Sequence, residues 1–452
     1  MSRSAKKGAR ADQENKVAIL HNMKTLTYHG GKQENKTLSY RWSYDGQEFK
    51  IQAISDVFEV EIPNVLLQHY GIFLSAYYFN VDNFEKVHVE SLNLSDKQHS
   101  FFEKLFVKGL AEHRYTNGFA VDQHISFSSN QNIPSEGKVP YQPSKRFLSM
   151  IGGGKDSLVG IELLKALDPD IGYLGMNTNP QSLAALDLLG ETSSLIHIVT
   201  ERDPNPHDKK FPYHGHHPGT AMRLFAAILA AYAEGYRHVV VANEYSASFD
   251  QITVDGIGVN HQYSKSLEYE RDLNEYLSEF IIDELGTFSI LRPLYELQIA
   301  KIFAGFDKYH PIFISCNVAF REKQWCKNCS KCAFVYAIIA PFIDADQITE
   351  IWGENLLQRE TICKHLADIV TDAISPLECI GTKEETKVAL KLCEQKGLLD
   401  DSPEEIKNII MGSIQDVTQD DIDQTLSFYS SDTEIPEEIA EELKMKVQEY
   451  IK

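Results

Sequence analysis

From Arg146 onward, short apolar runs alternate with amphipathic stretches. Residues 147–151, 171–176, 195–199, 238–242 and 312–315 read as strands, and 158–166, 184–189 and 221–233 read as the helices between them. Apolar strands separated by helices predict an α/β fold: a parallel sheet with helices on both faces. Ligands of such sheets collect outside the carboxyl ends of the strands. The glycines after the first strand and Asn243-Glu244-Tyr245-Ser246 after the fourth are therefore expected to share one cleft. Upstream the pattern differs. Residues 38–54 alternate around Asp45-Gly46 and predict a hairpin, while 65–79 and 101–112 predict helices. The polar stretch 126–143 reads as a linker. After Phe342 the chain turns helical and ends in an acid-rich segment, 400–452. The expected plan is a disordered tail (1–16), an N-terminal α+β domain (17–145), an α/β domain that holds three consecutive glycines and four clustered cysteines (146–342) and a helical C-terminal region (343–452).

Charge narrows the function. The 452 residues carry a formal net charge of −21, against the clustered Lys and Arg of a nucleic-acid footprint. A small anionic substrate needs only a local positive site. No apolar run approaches the ~20 residues of a membrane span, and the first residues lack the apolar segment of a secretory signal. A cytoplasmic protein with no membrane and no nucleic-acid partner is expected; nothing in the sequence fixes its oligomeric state.

The densest chemistry follows the first strand: Gly152-Gly153-Gly154-Lys155-Asp156-Ser157, then an amphipathic helix. Glycines admit a close backbone approach to an anion, and the free N–H groups of a helix start attract negative charge. Lys155 adds a mobile cation. The spacing is not that of the P-loop with its terminal Gly-Lys-Ser/Thr. The bland alternative is a ligand-free glycine turn.

The 7 cysteines all fall between Cys316 and Cys393, and Cys316, Cys326, Cys329 and Cys332 form a C-x9-C-x2-C-x2-C array. Four thiolates make a closed, structural zinc site, Zn²⁺ having no open position there. An iron–sulfur cluster and free buried thiols are the rivals. Lys327 and Lys331 are expected to offset the thiolate charge, and Cys363, Cys379 and Cys393 to be small buried apolar residues.

Two further loops are polar. His207, His214, His216 and His217 surround a Pro- and Gly-rich segment, read as a substrate-facing loop rather than a second metal site. Thr220 is the expected N-cap of the helix that follows, with Arg223 able to face an anion or solvent. The segment from Val259 to Ser266 offers His261, Tyr263 and Lys265, groups able to bind carboxylate or phosphate and to move protons. Glu268 and Glu270 are expected on an exposed helix start.

The glycine loop resembles the PP-loop of ATP pyrophosphatases, which cleave ATP between the α and β phosphates and adenylate a substrate; Gly152 stands where their pattern has serine. Further stretches resemble the UDP-N-acetyl-α-D-muramoyl-L-alanyl-L-glutamate epimerase family, ATP-dependent enzymes of peptidoglycan precursor synthesis. They are Gly215-His216-His217-Pro218-Gly219-Thr220-Ala221, Asn243 to Ser248, Val259 to Ser266, Trp325 to Val335, Ala340-Pro341-Phe342 and Pro376 to Gly381. The resemblance implies a nucleotide-sugar peptide substrate whose terminal L-glutamate is inverted through an acyl-adenylate. It implies ATP on Gly152, Gly153, Gly154, Lys155, Asp156, Ser157 and Glu244, with Mg²⁺ bridging phosphates. Lys155, Asp156, His261, Tyr263 and Lys265 would carry catalysis. The glycine loop and cysteine array are shared with 7-cyano-7-deazaguanine synthase, so an amidating ligase is the alternative; a tRNA-modifying module is disfavoured by charge.

Overall fold

The computed structural model describes residues 23–205, 208–316, 318–319, 322, 324–371, 377 and 380–452. The 1–16 tail, His207 and Cys379 lie outside the described residues.

The strands are β1 (Thr25–Glu34), β2 (Thr37–Tyr44), β3 (Gln47–Ile54), β4 (Lys86–Val89), β5 (Ser126–Ser129), β6 (Lys145–Met150), β7 (Gly172–Met176), β8 (Leu195–Asp203), β9 (Tyr236–Val241), β10 (Ile252–Val254), β11 (Ile257–Val259) and β12 (Gly286–Ser289). Ten of them form one sheet, in the order β12-β9-β6-β7-β8-β3-β2-β1-β4-β5. The half from β12 to β8 is wholly parallel. β3 joins it antiparallel to β8, from Ile54 opposite Val199 to Lys50 opposite Asp203. The β2–β3 hairpin turns on Asp45 (φ 49°) and Gly46 (φ 74°), the two left-handed residues that a two-residue connection demands.

The helices are α1 (Asn64–Leu74), α2 (Asp96–Gly109), α3 (Ala111–Thr116), α4 (Lys155–Leu167), α5 (Pro180–Leu189), α6 (Gly219–Glu234), α7 (Leu267–Tyr276), α8 (Glu296–Ala304), α9 (Ser330–Ile339), α10 (Ala345–Trp352), α11 (Glu360–Thr371), α12 (Lys383–Gln395), α13 (Glu404–Ile414), α14 (Gln419–Ser427) and α15 (Glu437–Ile451). Both faces of the parallel half are covered, because successive strand residues point to opposite sides. Phe147, Tyr173 and Val240 share a core with α4, α8, α9 and the C-terminal helices. Leu148, Leu174 and Val239 share the other with α1, α6 and α7. Each fully buried side chain of this kind contributes ~1.5–3 kcal/mol. No described helix is long and apolar enough to cross a membrane.

Four local expectations are corrected. Residues 312–315 form no strand, because Ile312 and Phe313 both donate their N–H to the Tyr309 carbonyl in a turn; β12 takes the place beside β9 instead. The 126–143 stretch begins with a strand, β5, paired to β4. Thr220 lies inside α6, whose N-cap is Pro218. Glu270 is buried rather than solvated, drawn in by Arg292.

The order of strands sets the site. From β6 the chain steps to β7 and β8 on one side, then returns to β9 on the other. The loops after β6 and β9 therefore diverge at a switch point, where open α/β sheets bind their ligands.

Candidate active site

β6 ends at Met150, and the chain turns through Gly152, Gly153 and Gly154 into α4. Gly153 has φ 77°, and a Cβ there would lie 2.7 Å from the Ser182 nitrogen and 2.9 Å from the Gln181 carbonyl carbon. Only glycine fits a left-handed position this crowded. Asn179, the N-cap of α5, donates its side-chain amide to the Gly152 carbonyl at 2.9 Å and so braces the turn. Ser157 Oγ accepts from the Gly153 N–H at 3.1 Å and donates to the Gly154 carbonyl at 3.0 Å.

Lys155 is only 1% exposed and pairs with both Asp156 and Glu296. Burial alone would lower its pKa, but the two carboxylates outweigh it and hold the ammonium charged. Asp156 keeps 32% of its side chain exposed. Burial pushes the Asp156 carboxyl up, and Lys155, Lys331 and Lys265 bring it below the usual range. Glu296 opens α8 and stays raised, chiefly through burial, with Asp156 and Glu244 adding to it. Glu244, in the loop after β9, thus lies within electrostatic reach of the Lys155 pair.

Arg292 ties the second side together. It is fully buried and donates to the Glu244 carbonyl at 2.9 Å, the Lys265 carbonyl at 2.5 Å and the Glu270 carboxylate at 3.0 Å. One guanidinium so fixes the β9 loop, the 259–266 loop and α7. Within that loop Lys265 donates to Gln262 Oε1 at 2.8 Å. His261 Nδ1 lies 3.0 Å from Gln251 Oε1. Burial first, then the charges of His216 and Lys265, drive His261 down to about 3, so its imidazole is neutral. Tyr263 turns elsewhere: its hydroxyl is 3.3 Å from Asp272, beneath Lys108. The structure therefore gathers Lys155, Asp156, Glu244, Lys265 and His261, and sets the Tyr263 hydroxyl outside that group.

The four array cysteines converge, all Sγ atoms lying within 4.8 Å of one another. Cys326 and Cys332 are 3.7 Å apart, against the ~3.8 Å edge of a tetrahedron with ~2.3 Å metal–sulfur bonds. Cys316 Sγ accepts N–H bonds from Ala319 and Cys326, both at 3.3 Å. This donor set fits a metal ion. Ser315, next to Cys316, sits 3.7 Å from where a Gly154 Cβ would be, so the array abuts the glycine loop. Its lysines diverge. Lys327 pairs with Glu354 at 3.3 Å, whereas Lys331 is 7% exposed and its charge reaches Asp156, Glu296 and His261. Cys363 and Cys393 are fully buried, as expected of small apolar residues.

Sequence reasoning missed Glu296, Arg292 and Glu112. Glu112 is 6% exposed and faces His216 Nδ1 at 3.2 Å. His113 and Arg114 follow Glu112 directly, so no local pattern singles it out. His214 and His216 are exposed, and His217 packs near Tyr77 and His113. Arg223 is exposed. A cavity of about 510 Å³ adjoins the cleft, walled by Ser246, Gln251, Tyr295, Thr382 and Glu385.

Comparison with known proteins points to one family. Residues 13–290 match the MurL N-terminal domain and residues 312–421 the MurL C-terminal domain. A UDP-N-acetyl-alpha-D-muramoyl-L-alanyl-L-glutamate epimerase of a Micromonospora species is 34% identical over 317 residues, 66% of this chain and 68% of that protein. One from Salinispora tropica is 35% identical over 312 residues, 66% of either chain. One from Xanthomonas oryzae pv. oryzae is 30% identical over 338 residues, 72% of this chain and 73% of that protein. No solved structure matches the chain.

Proposed function

The chain belongs to the MurL family, and we propose that it is an isomerase inverting the terminal L-glutamate of UDP-N-acetylmuramoyl-L-alanyl-L-glutamate at the cost of ATP. The names of the three relatives support the substrate. The observation that carries the chemistry is Lys155, buried against two carboxylates at a helix start that follows three glycines. We read the parallel half as a PP-loop fold, supported by that turn and by the switch point at β6.

The α-hydrogen of a glutamate carboxylate is barely acidic, since deprotonation would place charge beside an existing anion. Adenylation removes that charge and leaves an acyl group able to stabilise an enolate. The glycine-loop amides and Lys155 would hold the phosphates. Mg²⁺ brought with ATP would supply positive charge beside the phosphates. Asp156, about a third of whose side chain is exposed, would hold it. Lys265 and Lys331 lie within electrostatic reach of both Asp156 and His261, and would bind the anion between nucleotide and glutamate. His261, neutral, would move the α-proton; Tyr263 would brace the loop. Four thiolates would hold one Zn²⁺ and so would fix the segment carrying Lys331.

The test is incubation with ATP, Mg²⁺ and UDP-N-acetylmuramoyl-L-alanyl-L-glutamate, followed by chiral analysis of the glutamate. AMP, pyrophosphate and D-glutamate are expected. ADP with free phosphate would exclude the assignment, and a nitrile made from a deazaguanine acid would favour the ligase.

A further inference from the structure

Most of a nucleotide-sugar peptide lies beyond the glutamate that reacts, and the protein must hold that remainder too. The cavity of about 510 Å³ beside the cleft falls within the ~300–1,000 Å³ of ordinary small-molecule sites. One wall is the loop after β9, with Phe249, Asp250 and Gln251; a second is the start of α12, with Glu384 and Glu385; Tyr295, the N-cap of α8, is a third. Single hydrogen bonds join these walls to both ends of the cleft. Gln251 donates its side-chain amide to the Phe249 carbonyl at 2.9 Å and accepts the His261 backbone N–H at 3.0 Å. Glu385 accepts the Leu297 N–H at 3.2 Å, next to the Glu296 that pairs with Lys155.

The lining has a definite chemistry. Phe249 and Tyr295 belong to one ring cluster: Tyr245 packs edge-on against them at 5.2 and 5.3 Å, and Phe428 lies 4.5 Å from Tyr295. The rings are thereby fixed, yet Phe249 stays 43% exposed. Asp250 and Glu384 are exposed as well, and neither carboxylate has a hydrogen bond or ion pair among the described residues. Among the described lining residues Lys383 is set against Asp250, Glu384 and Glu385, a balance that disfavours a diphosphate. A pyranose suits it. Its faces carry C–H bonds, which match the negative face of an aromatic ring, and its rim carries hydroxyls, which donate to carboxylates. The reach also agrees. One alanine and one lactyl unit separate the glutamate from its sugar, roughly 7 Å of extended chain at ~3.5 Å per unit, and the cavity begins one hydrogen bond from His261.

We propose that this cavity receives the N-acetylmuramoyl sugar of the substrate, with Phe249 and Tyr295 against the pyranose face and Asp250 and Glu384 accepting from its hydroxyl and acetamido N–H groups. This rests on the reading given under Proposed function, and it assigns recognition of the sugar to the start of α12 as much as to the sheet. The diphosphate stays outside the cavity. Phe249 and Glu384 determine specificity and take no part in the chemical steps.

The test is turnover of radiolabelled UDP-N-acetylmuramoyl-L-alanyl-L-glutamate with ATP and Mg²⁺, in competition with unlabelled N-acetylmuramoyl-L-alanyl-L-glutamate, L-alanyl-L-glutamate or UDP. In the wild type the muramoyl dipeptide should inhibit at least tenfold more tightly than the dipeptide without sugar. Phe249→Ala should weaken the muramoyl dipeptide at least tenfold and leave inhibition by UDP within twofold. The same variant should raise the KM for the labelled substrate at least tenfold, with kcat and the KM for ATP within threefold, as loss of uniform binding requires. Partial unfolding removes active molecules and lowers kcat, so it would not give that split. Glu384→Ala, at an exposed position, is the second variant should the first be unstable, and at least a fivefold weakening of the muramoyl dipeptide is expected. Unchanged inhibition by the muramoyl dipeptide overturns the proposal. So does a variant that weakens UDP and not the muramoyl dipeptide, which would put the nucleotide in the cavity. Wild-type protein that forms no D-glutamyl product from the labelled substrate removes the underlying reading instead; where that product forms, either failure strikes the cavity assignment alone.

Discussion

The two ends of the cleft handle charge in opposite ways. At the glycine-loop end, Lys155 is locked between Asp156 and Glu296 and shut away from water. At the histidine end, His216 is half exposed beside one carboxylate and His261 is neutral. The first arrangement fixes a charge, the second keeps protons movable. Lys331 stands between them, set in the cysteine array. Binding polyanionic phosphates rewards a cation that cannot lose its proton; opening a C–H bond rewards groups that can.

The largest way to break this contrast is at the array. If one metal ion holds the four thiolates, Cys329→Ser should leave an unstable or insoluble protein, since such sites contribute folding free energy directly. Metal analysis of the purified protein checks the premise: one zinc per chain is expected, and a brown protein with visible absorption would replace zinc by iron and sulfur. Next comes Lys155→Ala. Removing one partner of a buried ion pair costs about 3–5 kcal/mol of stability, measurable by urea unfolding. Loss of a key phosphate donor should slow pyrophosphate release by ~10²–10³-fold. If pyrophosphate release is unchanged, the glycine-loop end does not bind phosphate.

A smaller effect sharpens the comparison through pH. Glu385 accepts the Leu297 N–H at 3.2 Å at the start of α8, next to Glu296. Burial raises its carboxyl from 4.5 to about 7. The folded state therefore holds a proton that the unfolded state has released between those values, and stability falls as pH rises from 4.5 to about 7, then levels off. The expected loss is about 3 kcal/mol. Glu385→Gln should flatten that slope in denaturation curves taken across the window; an unchanged slope assigns it elsewhere. Smallest is Gly46→Ala, in the hairpin far from the cleft. A Cβ there meets nothing within 4 Å, so only the left-handed backbone is strained, ~1–2 kcal/mol. Gly153→Ala adds collisions at 2.7 and 2.9 Å to the same strain and should cost clearly more, by thermal unfolding.

What the sequence revealed follows from which features are local. The glycine turn, the cysteine spacing and the Asp45-Gly46 hairpin each depend on neighbouring residues, and their backbone demands are visible in the residue types. Four of five parallel strands were legible because apolar runs of that length are seldom anything else in an α/β pattern. β12 was not: Gly286-Thr287-Phe288-Ser289 has one large apolar side chain, and its pairing with β9 is decided by packing. The partners of the candidate site groups were hidden for a different reason. Glu296 meets Lys155 across 141 residues and Glu112 meets His216 across 104, so no periodicity links them. Glu270 looked solvated because nothing local announces Arg292.

The β3–β8 ladder has a consequence for synthesis. β3 ends at Ile54 and β8 begins at Leu195, so a growing chain finishes the first long before its partner leaves the ribosome. At ~5–20 residues per second that interval is roughly 7–30 s. Throughout it β3 is an uncovered rim, able to zip onto the same strand of a neighbouring nascent chain. Its exposed positions are Gln47, Glu48 and Lys50, two of them charged, the kind of side chain that discourages such pairing. Those residues guard a molecule that does not yet have its cleft, and their worth is measured in polysomes rather than in the finished enzyme.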